Sequence, residues 1–397
     1  MRSPRELALV LIPLILVAGA VSAAACDSAD STGTTARPVV RAGQTLAVPA
    51  LKVTTEVSSL TQPWDVKQLP AGPLLITERE TRRIWVRDGS GLHSLSFPNG
   101  NIWVSGETGL MSLAIDPGFG RSNRRFYTCH GRNTASGGHE IAVVAWRLGP
   151  ERKAATFVRT LLSGIQIESG RHGGCRIMVF GNGAMYVGTG DSAVGTNPQD
   201  LTSLNGKVLR LRASTGAPWP TNPFAGATNL KKRYIYTYGH RNVQGLALRK
   251  DGTLWSVEHG TSVDDEVNRL RFGGNYGWNP VPGYNEAVPM TDFSLPGVQI
   301  GAAWSSGDPT IATSGATFVA GSRWGAYNGA LAVAALAGNR VVFMKFDSAG
   351  KLLWTRTPAV LREFGRLRSV TRANNGDLLI TTANGSADRV LRVRPLG

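Results

Sequence analysis

Long apolar segments and helical periodicity are both scarce in this chain of 397 residues. Beyond residue 25, no apolar run approaches the roughly 20 residues that a membrane-spanning helix needs. No long window repeats its apolar residues every 3.6 positions, which argues against a mainly helical fold. The overall composition, 42% hydrophobic and 18% charged, is that of a globular protein with a large core.

Acidic residues are also scarce, since 27 Asp and Glu stand against 43 Lys and Arg and give a formal net charge of +16. The longest basic block is Lys231-Lys232-Arg233, so the positive charge is spread over the surface. Such a surface favours anionic ligands or surfaces. Because the sequence has neither a recognition-helix pattern nor a clustered basic stripe, we expect no nucleic-acid partner.

The only long apolar run lies at the N-terminus, where residues 1–25 have the pattern of a secretory signal peptide. Arg2 and Arg5 precede the apolar stretch, and three alanines stand immediately before Cys26. The pattern resembles a bacterial lipoprotein signal. It predicts lipid on Cys26 and an anchor on the outer side of the bacterial cytoplasmic membrane. Ordinary secretion with an unmodified Cys26 is the alternative.

Cysteine is rare, with three residues in the chain, which excludes a dense disulfide framework. Two cysteines remain after Cys26, namely Cys129 and Cys175. An exported chain enters an oxidising compartment, where a disulfide between them is permitted. Two buried thiols are equally compatible with their positions, so the sequence leaves both possibilities open.

Turn residues are abundant, with 48 glycines, and they punctuate a recurring unit. In each unit a turn with Gly, Asn or Asp precedes a short apolar strand, and a loop leads to a second strand. Six copies at intervals of roughly fifty to eighty residues indicate a repeat architecture. The strand pairs are predicted at 74–77 and 83–86, 126–128 and 141–146, 185–187 and 207–211, 254–257 and 267–270, 331–336 and 341–346, and 378–381 and 389–393.

Repeated strand pairs of this size are typical of the blades of a β-propeller, an architecture that leaves only short protected sheet edges. Six copies predict an all-β, six-bladed propeller over residues 48–397. Residues 26–47, rich in Ser, Thr, Ala and Gly, are predicted to be a flexible tether. Two β-sandwich domains are the alternative, although no Pro/Ser-rich linker divides the interior. Residues 278–307 are predicted to form loops on one face, with Trp278 packed in the core or in a loop.

One histidine has the surroundings of a proton-transfer group. His172 lies in Arg171-His172-Gly173-Gly174, just before an apolar strand. Glycine lets a backbone pass close to a ligand. Asp191 follows the next strand. A base beside a carboxylate that can hold its tautomer is what proton abstraction requires. A turn histidine that only satisfies backbone groups is the alternative.

Six motifs occur in order between about residue 63 and residue 396, and together they indicate a family. They are Gly106-Glu107-Thr108-Gly109-Leu110 with Asp116-Pro117-Gly118-Phe119; the His172 cluster; Gln199-Asp200-Leu201 with Leu204-Asn205-Gly206-Lys207; Tyr238-Gly239-His240-Arg241-Asn242-Val243-Gln244-Gly245; Glu258-His259-Gly260 with Asp265-Glu266-Val267-Asn268; and Asn275-Tyr276-Gly277-Trp278. The set resembles the soluble aldose and glucose/sorbosone dehydrogenases that depend on pyrroloquinoline quinone (PQQ), which are six-bladed propellers.

The resemblance implies an oxidoreductase that oxidises aldose sugars at the anomeric carbon to lactones, with hydride transfer to calcium-bound PQQ. It implies a small sugar substrate, an unidentified electron acceptor, His172 as general base, Asp191 as its support and Glu107 in contact with the substrate. The implied quinone contacts are Arg241, Asn242, Arg366 and Arg368, and the implied calcium ligands are the carbonyls of Gly260, Thr261 and Tyr276 and the carboxylate of Glu266. Guanidinium groups suit the carboxylates of the quinone, and oxygen ligands suit calcium.

Some positions depart from the family pattern. Ala337 and Ala383 stand where the family usually has Lys and Asp, and Thr261 stands where it commonly has Pro. The loss of one charge-assisted contact in a buried site costs about 1.5–3 kcal/mol, or roughly ten- to hundredfold in affinity. The departures therefore bear on cofactor binding more than on the fold.

Alternative interpretations follow for the function and for single residues. A non-catalytic propeller lipoprotein that binds cell-surface glycan or protein would keep the scaffold and lose the quinone. A propeller hydrolase or lactonase would need carboxylates or histidines that converge on a metal, and no ligand spacing requires one. Arg241 and the pairs Asp265–Glu266 and Arg366–Arg368 could also be solvated surface charges.

Overall fold

The computed structural model describes residues 46–396. The predicted signal peptide, Cys26 and all but the last two residues of the predicted tether lie outside the described residues. The described part forms six antiparallel sheets of four strands each, with one short α-helix. Within it, no helix combines the length and apolar character needed to cross a membrane.

The elements follow one another in sheet order. The first strand and the first two sheets consist of β1 (Leu51–Leu60), β2 (Pro63–Gln68), β3 (Leu74–Glu78), β4 (Ile84–Asp88), β5 (Gly91–Ser94), β6 (Leu110–Ile115), β7 (Arg125–Asn133), β8 (His139–Leu148) and β9 (Ala155–Gln166). The next two consist of β10 (Gly174–Val179), β11 (Ala184–Thr189), β12 (Lys207–Arg212), α1 (Leu230–Tyr234), β13 (Ile235–Tyr238), β14 (Val243–Leu248), β15 (Leu254–Glu258), β16 (Glu266–Arg269) and β17 (Trp304–Ser305). The last two consist of β18 (Thr313–Phe318), a 3-10 helix (Ser322–Tyr327), β19 (Leu331–Ala335), β20 (Arg340–Phe346), β21 (Leu352–Arg356), a 3-10 helix (Ala359–Leu361), β22 (Leu367–Arg372), β23 (Leu378–Thr382) and β24 (Asp388–Pro395).

The sheets are the blades of a propeller. Blades 1 to 5 are β2–β5, β6–β9, β10–β13, β14–β17 and β18–β21, and blade 6 is β22, β23 and β24 with β1 as its outer strand. The first strands of the blades contact each other in sequence, and β22 returns to β2, so the ring is closed. The prediction of an all-β, six-bladed propeller is confirmed.

The six strand pairs predicted from the sequence are the second and third strands of each blade. The second strands are the most uniformly buried, because both faces of each pack against neighbouring blades, and every residue is buried in β3, β11, β15, β19 and β23. The fourth strands alternate between half-buried and exposed residues, as in β5 and β21, so their apolar signal is weak. The first strands carry polar side chains toward the centre, which interrupts the apolar pattern in β2 and β14.

The ring is closed by strands from opposite ends of the described chain. β1 pairs antiparallel with β24, with Leu51 opposite Pro395 and Leu60 opposite Asp388. Because this ladder joins the start of the domain to its end, the fourth strand of blade 6 is supplied by a segment distant in sequence from the other three. The pairing leaves no signal in the local sequence of either strand.

Buried charges connect the blades around the centre. Asp65 of β2 is fully buried and accepts hydrogen bonds from Arg176 of β10 at 2.8 Å and from Ser112 of β6 at 3.0 Å. Arg176 also donates to the carbonyl of Gln244 in β14 at 2.7 Å. Burial alone would raise the pKa of the Asp65 carboxyl, but the charges of Lys67 and Arg176 lower it. The ionised carboxylate of Asp65 therefore joins blades 1 to 3, and Arg176 extends the connection to blade 4.

Cys129 and Cys175 form a disulfide between blades 2 and 3. Cys129 lies in β7, and Cys175 is the second residue of β10. Both side chains are fully buried, so the bond belongs to the packed interior. It fixes the start of β10 against the neighbouring blade, three residues after His172.

Replacing both cysteines with alanine should lower the free energy of unfolding by about 4 kcal/mol, because the bond closes a loop of 46 residues in the unfolded chain. Urea unfolding followed by tryptophan fluorescence measures the change. Cys129→Ala and Cys175→Ala should each cost as much as the double variant, since either one removes the bond. If the losses of unfolding free energy in the two single variants instead add up in the double variant, this account is wrong and each side chain contributes independently through its packing.

Candidate active site

A cavity of about 480 Å³ opens where connections from several blades meet at one end of the propeller. Its walls come from residues that enter or leave strands of blades 2 to 5. They are Glu107, Arg171, His172, Arg241, His259, Gly260, Thr261, Ser262, Glu286, Thr310 and Ala312. Residues that are far apart in sequence therefore meet because each blade contributes a connection to the same end of the ring.

The backbone around His172 has a shape that the local sequence permits only with glycine. His172 has a positive φ of 52°, and Gly174 follows with a φ of 59°. A Cβ at Gly174 would lie 2.5 Å from the amide nitrogen of Gly190, which no real side chain tolerates. The close approach of these two segments brings the turn that carries His172 against the segment that carries Asp191.

His172 and Asp191 form a buried hydrogen-bonded pair. Nδ1 of His172 lies 2.9 Å from Oδ1 of Asp191, and the exposed fractions of the two side chains are 4% and 0%. An ionised carboxylate accepts only, so the proton of the imidazole lies on Nδ1. Nε2 makes no hydrogen bond with any residue between 46 and 396, and it is the atom left to take up a proton. This arrangement has the geometry of a general base and its support.

Asp191 is held by groups that the sequence did not indicate. Trp278 donates its indole N–H to Oδ2 at 2.7 Å, and the hydroxyl of Tyr284 donates to the same oxygen at 2.8 Å. The backbone N–H of Ala193 donates to Oδ1 at 2.8 Å. Trp278 is fully buried, as expected for a packing residue, and its indole N–H also helps to hold Asp191 in place. Tyr284 had no local signal, because its partners come from blade 3 and its own segment lies between β16 and β17.

Glu107 and Asn242 support the turn that carries His172. Oε2 of Glu107 accepts the backbone N–H of His172 at 3.2 Å and the amide of Asn242 at 3.3 Å. Oδ1 of Asn242 accepts the backbone N–H of Gly174 at 3.0 Å. Burial alone would raise the pKa of Glu107, but its interactions with His172, which include the hydrogen bond from the backbone N–H, lower it, so the carboxylate is ionised. Asn242 lies beneath the turn and is not part of the cavity wall.

Arg241 is paired within the cavity rather than solvated. Its guanidinium forms ion pairs with Glu286, and it lies 5.7 Å from the ring of Trp278. Arg171 reaches the same carboxylate at 3.2 Å. Burial alone would raise the pKa of Glu286, but its hydrogen bond and charge interaction with Arg241 lower it. Glu286 thus pairs with two arginines at the mouth of the cavity and compensates one of their two positive charges.

Two nitrogen atoms of the cavity wall are buried without a hydrogen-bond partner among the described residues. They are Nε of Arg241 and Nε2 of His259. Burial lowers the pKa of His259 to about 4, so its imidazole is neutral at physiological pH. His259 belongs to one of the six sequence motifs, although the sequence assigns it no role. Buried polar atoms without partners are uncommon, and here they mark positions where a ligand could bind.

Arg366 and Arg368 are not part of this cavity wall. Arg366 is exposed, and its backbone N–H donates to Asn384 at 2.9 Å. Arg368 donates to Oε1 of Gln244 at 3.2 Å and lies over the ring of Trp64. Burial lowers the pKa of Arg368 to about 9. Arg368 is therefore connected to the site through Gln244, which donates to Asn242 at 3.2 Å, and its charge also acts on Glu107 and His259.

Gly260 lies in a tight loop that a buried carboxylate holds in shape. A Cβ at Gly260 would lie 2.0 Å from the carbonyl oxygen of Val263. Asp265 is fully buried and accepts the backbone N–H groups of Gly260 at 3.0 Å and Ile311 at 2.7 Å. Asp265 is therefore not a solvated charge. It fixes the backbone of Gly260 and Thr261 along the cavity.

Glu266 and Tyr276 lie near a second group of buried polar atoms. Glu266 pairs in register with Glu258 across β15 and β16, and Asn268 donates to both carboxylates, at 3.0 and 2.8 Å. Burial and the charge of Glu258 raise the pKa of Glu266 to about 8. The ring of Tyr276 stacks on His240 at 4.6 Å. In the described chain, no group of three or more His, Cys, Asp or Glu side chains is arranged to hold a metal.

A family model described as glucose/sorbosone dehydrogenase matches residues 60–392. The chain belongs to the glucose/sorbosone dehydrogenase family. The prediction of this family is confirmed, and so is the prediction of an oxidoreductase of the sugar dehydrogenase class.

Known relatives cover nearly the whole described chain. The aldose sugar dehydrogenase YliI of Escherichia coli is 28% identical over 366 residues, which span 88% of this chain and 94% of that protein. Among solved structures, the apo form of the soluble aldose sugar dehydrogenase of E. coli has a TM-score of 0.78 at 26% identity, covering 87% and 100% of the two chains. The PQQ-bound aldose sugar dehydrogenase of Streptomyces coelicolor has a TM-score of 0.71 at 27% identity, covering 88% and 99%.

Proposed function

We propose that the protein is a PQQ-dependent aldose sugar dehydrogenase that oxidises the anomeric carbon of the sugar to a lactone. The observation that carries the proposal is His172, held through Nδ1 by Asp191 with Nε2 left free at the cavity. Oxidation of an anomeric alcohol removes one proton from the hydroxyl and one hydrogen with its electron pair from carbon. His172 Nε2 is the group in the cavity wall suited to take the proton.

The cavity fits an anionic aromatic cofactor in several respects. Its volume lies in the range of small-molecule sites, about 300–1,000 Å³. Arg241 and His259 each present a buried nitrogen without a partner among the described residues. The ion pair of Arg241 with Glu286 means that an incoming carboxylate must share this guanidinium or displace Glu286. When bound, PQQ with calcium as Lewis acid supplies the acceptor for the hydride.

Calcium binding beside the quinone is part of the proposal, with the carbonyls of Gly260 and Thr261 as its protein ligands. The tight loop held by Asp265 lines the cavity at Gly260 and Thr261, and backbone carbonyl oxygens are ligands that suit calcium. A second, structural calcium would bind at Glu266 with the carbonyl of Tyr276. The juxtaposition of Glu266 and Glu258 supports it, because two buried carboxylates repel each other unless a proton or a cation lies near.

A non-catalytic propeller that binds cell-surface glycan or protein is the second candidate. Two observations favour it: the alanines at 337 and 383, which offer no charge to a cofactor, and the occupation of Arg241 by Glu286. The intact pair of His172 and Asp191 favours the enzyme, since a binding scaffold has no need of an oriented base. Quinone binding separates the two candidates.

His172→Ala should lower kcat/KM with aldoses by about a hundred- to ten-thousandfold, because a positioned general base contributes that much, while quinone affinity stays near that of the wild type. Dye reduction measures turnover, and absorbance titration with PQQ and calcium measures binding. His93→Ala, on the outer strand of blade 1, is the matched control and should leave both unchanged. If the wild-type protein binds no quinone in the presence of calcium, the dehydrogenase proposal fails and the non-catalytic binding propeller takes its place.

Removal of calcium should lower the melting temperature, because a ligand that binds only the native state stabilises it. Glu266→Gln should abolish the response to calcium, whereas Glu168→Gln, at an exposed position, should retain it. Thermal melts of chelator-treated protein with and without added calcium measure the effect. Identical melting in the two conditions would show that the structural site at Glu266 is wrong.

We also propose that the protein is exported and anchored by lipid on Cys26 to the outer side of the cytoplasmic membrane. The support is the signal pattern that ends in three alanines before Cys26. Cys26→Ser should release the protein from the membrane fraction or block its processing, because the acyl chains can no longer be attached. Fractionation with immunoblotting measures this. A variant that stays in the membrane fraction after normal processing would contradict lipid anchoring.

A further inference from the structure

We propose that Tyr284 is a positioning residue for the base, and that its hydroxyl sets how strongly Asp191 attracts the Nδ1 proton of His172. The inference rests on the proposed function, because it assigns a new role within the same site. It concerns a residue outside the six motifs that indicated the family.

The hydroxyl of Tyr284 contacts both members of the pair. It lies 2.8 Å from Oδ2 of Asp191 and 2.9 Å from Nδ1 of His172. The side chain is partly buried, and the guanidinium of Arg171 lies 5.8 Å from its ring. Its ring packs edge-on against Trp278, the other side chain that donates to Asp191. The segment between β16 and β17 therefore brings two donors to one carboxylate oxygen.

The protons of this group can be assigned by counting donors and acceptors. Asp191 is fully buried, and its two carboxylate oxygens receive hydrogen bonds from His172, Ala193, Trp278 and Tyr284. Burial and the charge of Asp191 raise the pKa of Tyr284, so the phenol keeps its proton and donates it to Oδ2. Its oxygen then presents a lone pair to the Nδ1–H group. Both contacts favour the tautomer with a proton on Nδ1 and none on Nε2.

Removal of the hydroxyl alters the charge that the imidazole experiences. Without the phenol, Asp191 receives three hydrogen bonds instead of four. Its negative charge is then less compensated and interacts more strongly with the Nδ1–H group, which favours the protonated imidazolium. The substitution also removes the lone pair of the phenol oxygen, and this loss disfavours the imidazolium. Its effect is the smaller one, because the phenol oxygen was only one of two acceptors for the Nδ1 proton, whereas the lost O–H donated to a full charge. The other charged or titratable groups around the pair are Glu107, Arg171, Lys207, Arg241, His259 and Glu286, and replacement by phenylalanine leaves all of them in place.

The test is Tyr284→Phe, followed by two pH titrations. In the cofactor-free protein, NMR of ¹⁵N-labelled histidine should show the titration midpoint of the His172 imidazole moved upward by about one unit, as expected for one hydrogen bond to a charged group. In the loaded enzyme, the acid limb of kcat/KM should move upward by the same amount. Tyr234→Phe is the matched control, because it removes a phenol that donates to the carbonyl of Gly216 at 2.9 Å outside the site. It should move neither curve.

The outcomes separate this inference from the proposed function. A His172 midpoint that is unchanged or lower in Tyr284→Phe overturns the positioning role, even if the rate falls at every pH as a purely structural effect would make it. If the His172 midpoint moves upward in Tyr284→Phe but the wild-type protein binds no quinone, the role of Tyr284 is supported and the dehydrogenase proposal is rejected. An upward midpoint together with a shifted acid limb supports both.

Discussion

The hydrogen-bonded ion pair of Asp65 and Arg176 at the centre of the ring is the interaction on which the rest of the structure depends. Asp65 receives donors from its own blade, from blade 2 and from blade 3, and Arg176 continues the chain of contacts into blade 4. Both side chains are almost entirely removed from solvent. Loss of one partner would leave a buried charge without compensation, at a cost of about 3–5 kcal/mol. The pair therefore favours one relative arrangement of four blades.

The position of the base follows from this central constraint. Arg176 lies four residues after His172, and Cys175 between them is bonded to β7 of blade 2. The start of β10 is thus fixed from two sides, by an ion pair at the axis and by a covalent bond to the neighbouring blade. The turn with positive φ at His172 is held at one end by this anchored strand. A base in a turn that is held by an anchored strand needs little reorganisation when a substrate binds.

Sequence reasoning identified what is encoded locally. The turns and the buried second and third strands of each blade have strong signals, as at Leu331–Ala335, where five consecutive residues are buried. The pair of His172 and Asp191 could be predicted because each lies beside a recognisable strand. The pairing of β1 with β24 and the contacts of Tyr284 could not, because their partners are distant in the chain and meet only after the ring closes. Arg366 shows the converse, since a role implied by a family resemblance does not by itself place a side chain in the cavity.

The electrostatics of the cavity cannot be read from the net charge of the protein. The chain carries a formal charge of +16, yet Glu286 pairs with Arg171 and Arg241 at the mouth and compensates one of their two charges, and an ionised Glu107 lies beside the base. An anion attracted by the surface must still compete with Glu286 for the guanidinium of Arg241. That competition lowers affinity, but it also spares the apo protein a buried arginine without a partner. The site is therefore organised before a cofactor arrives. The binding free energy measured for the cofactor includes the cost of weakening the ion pair between Arg241 and Glu286.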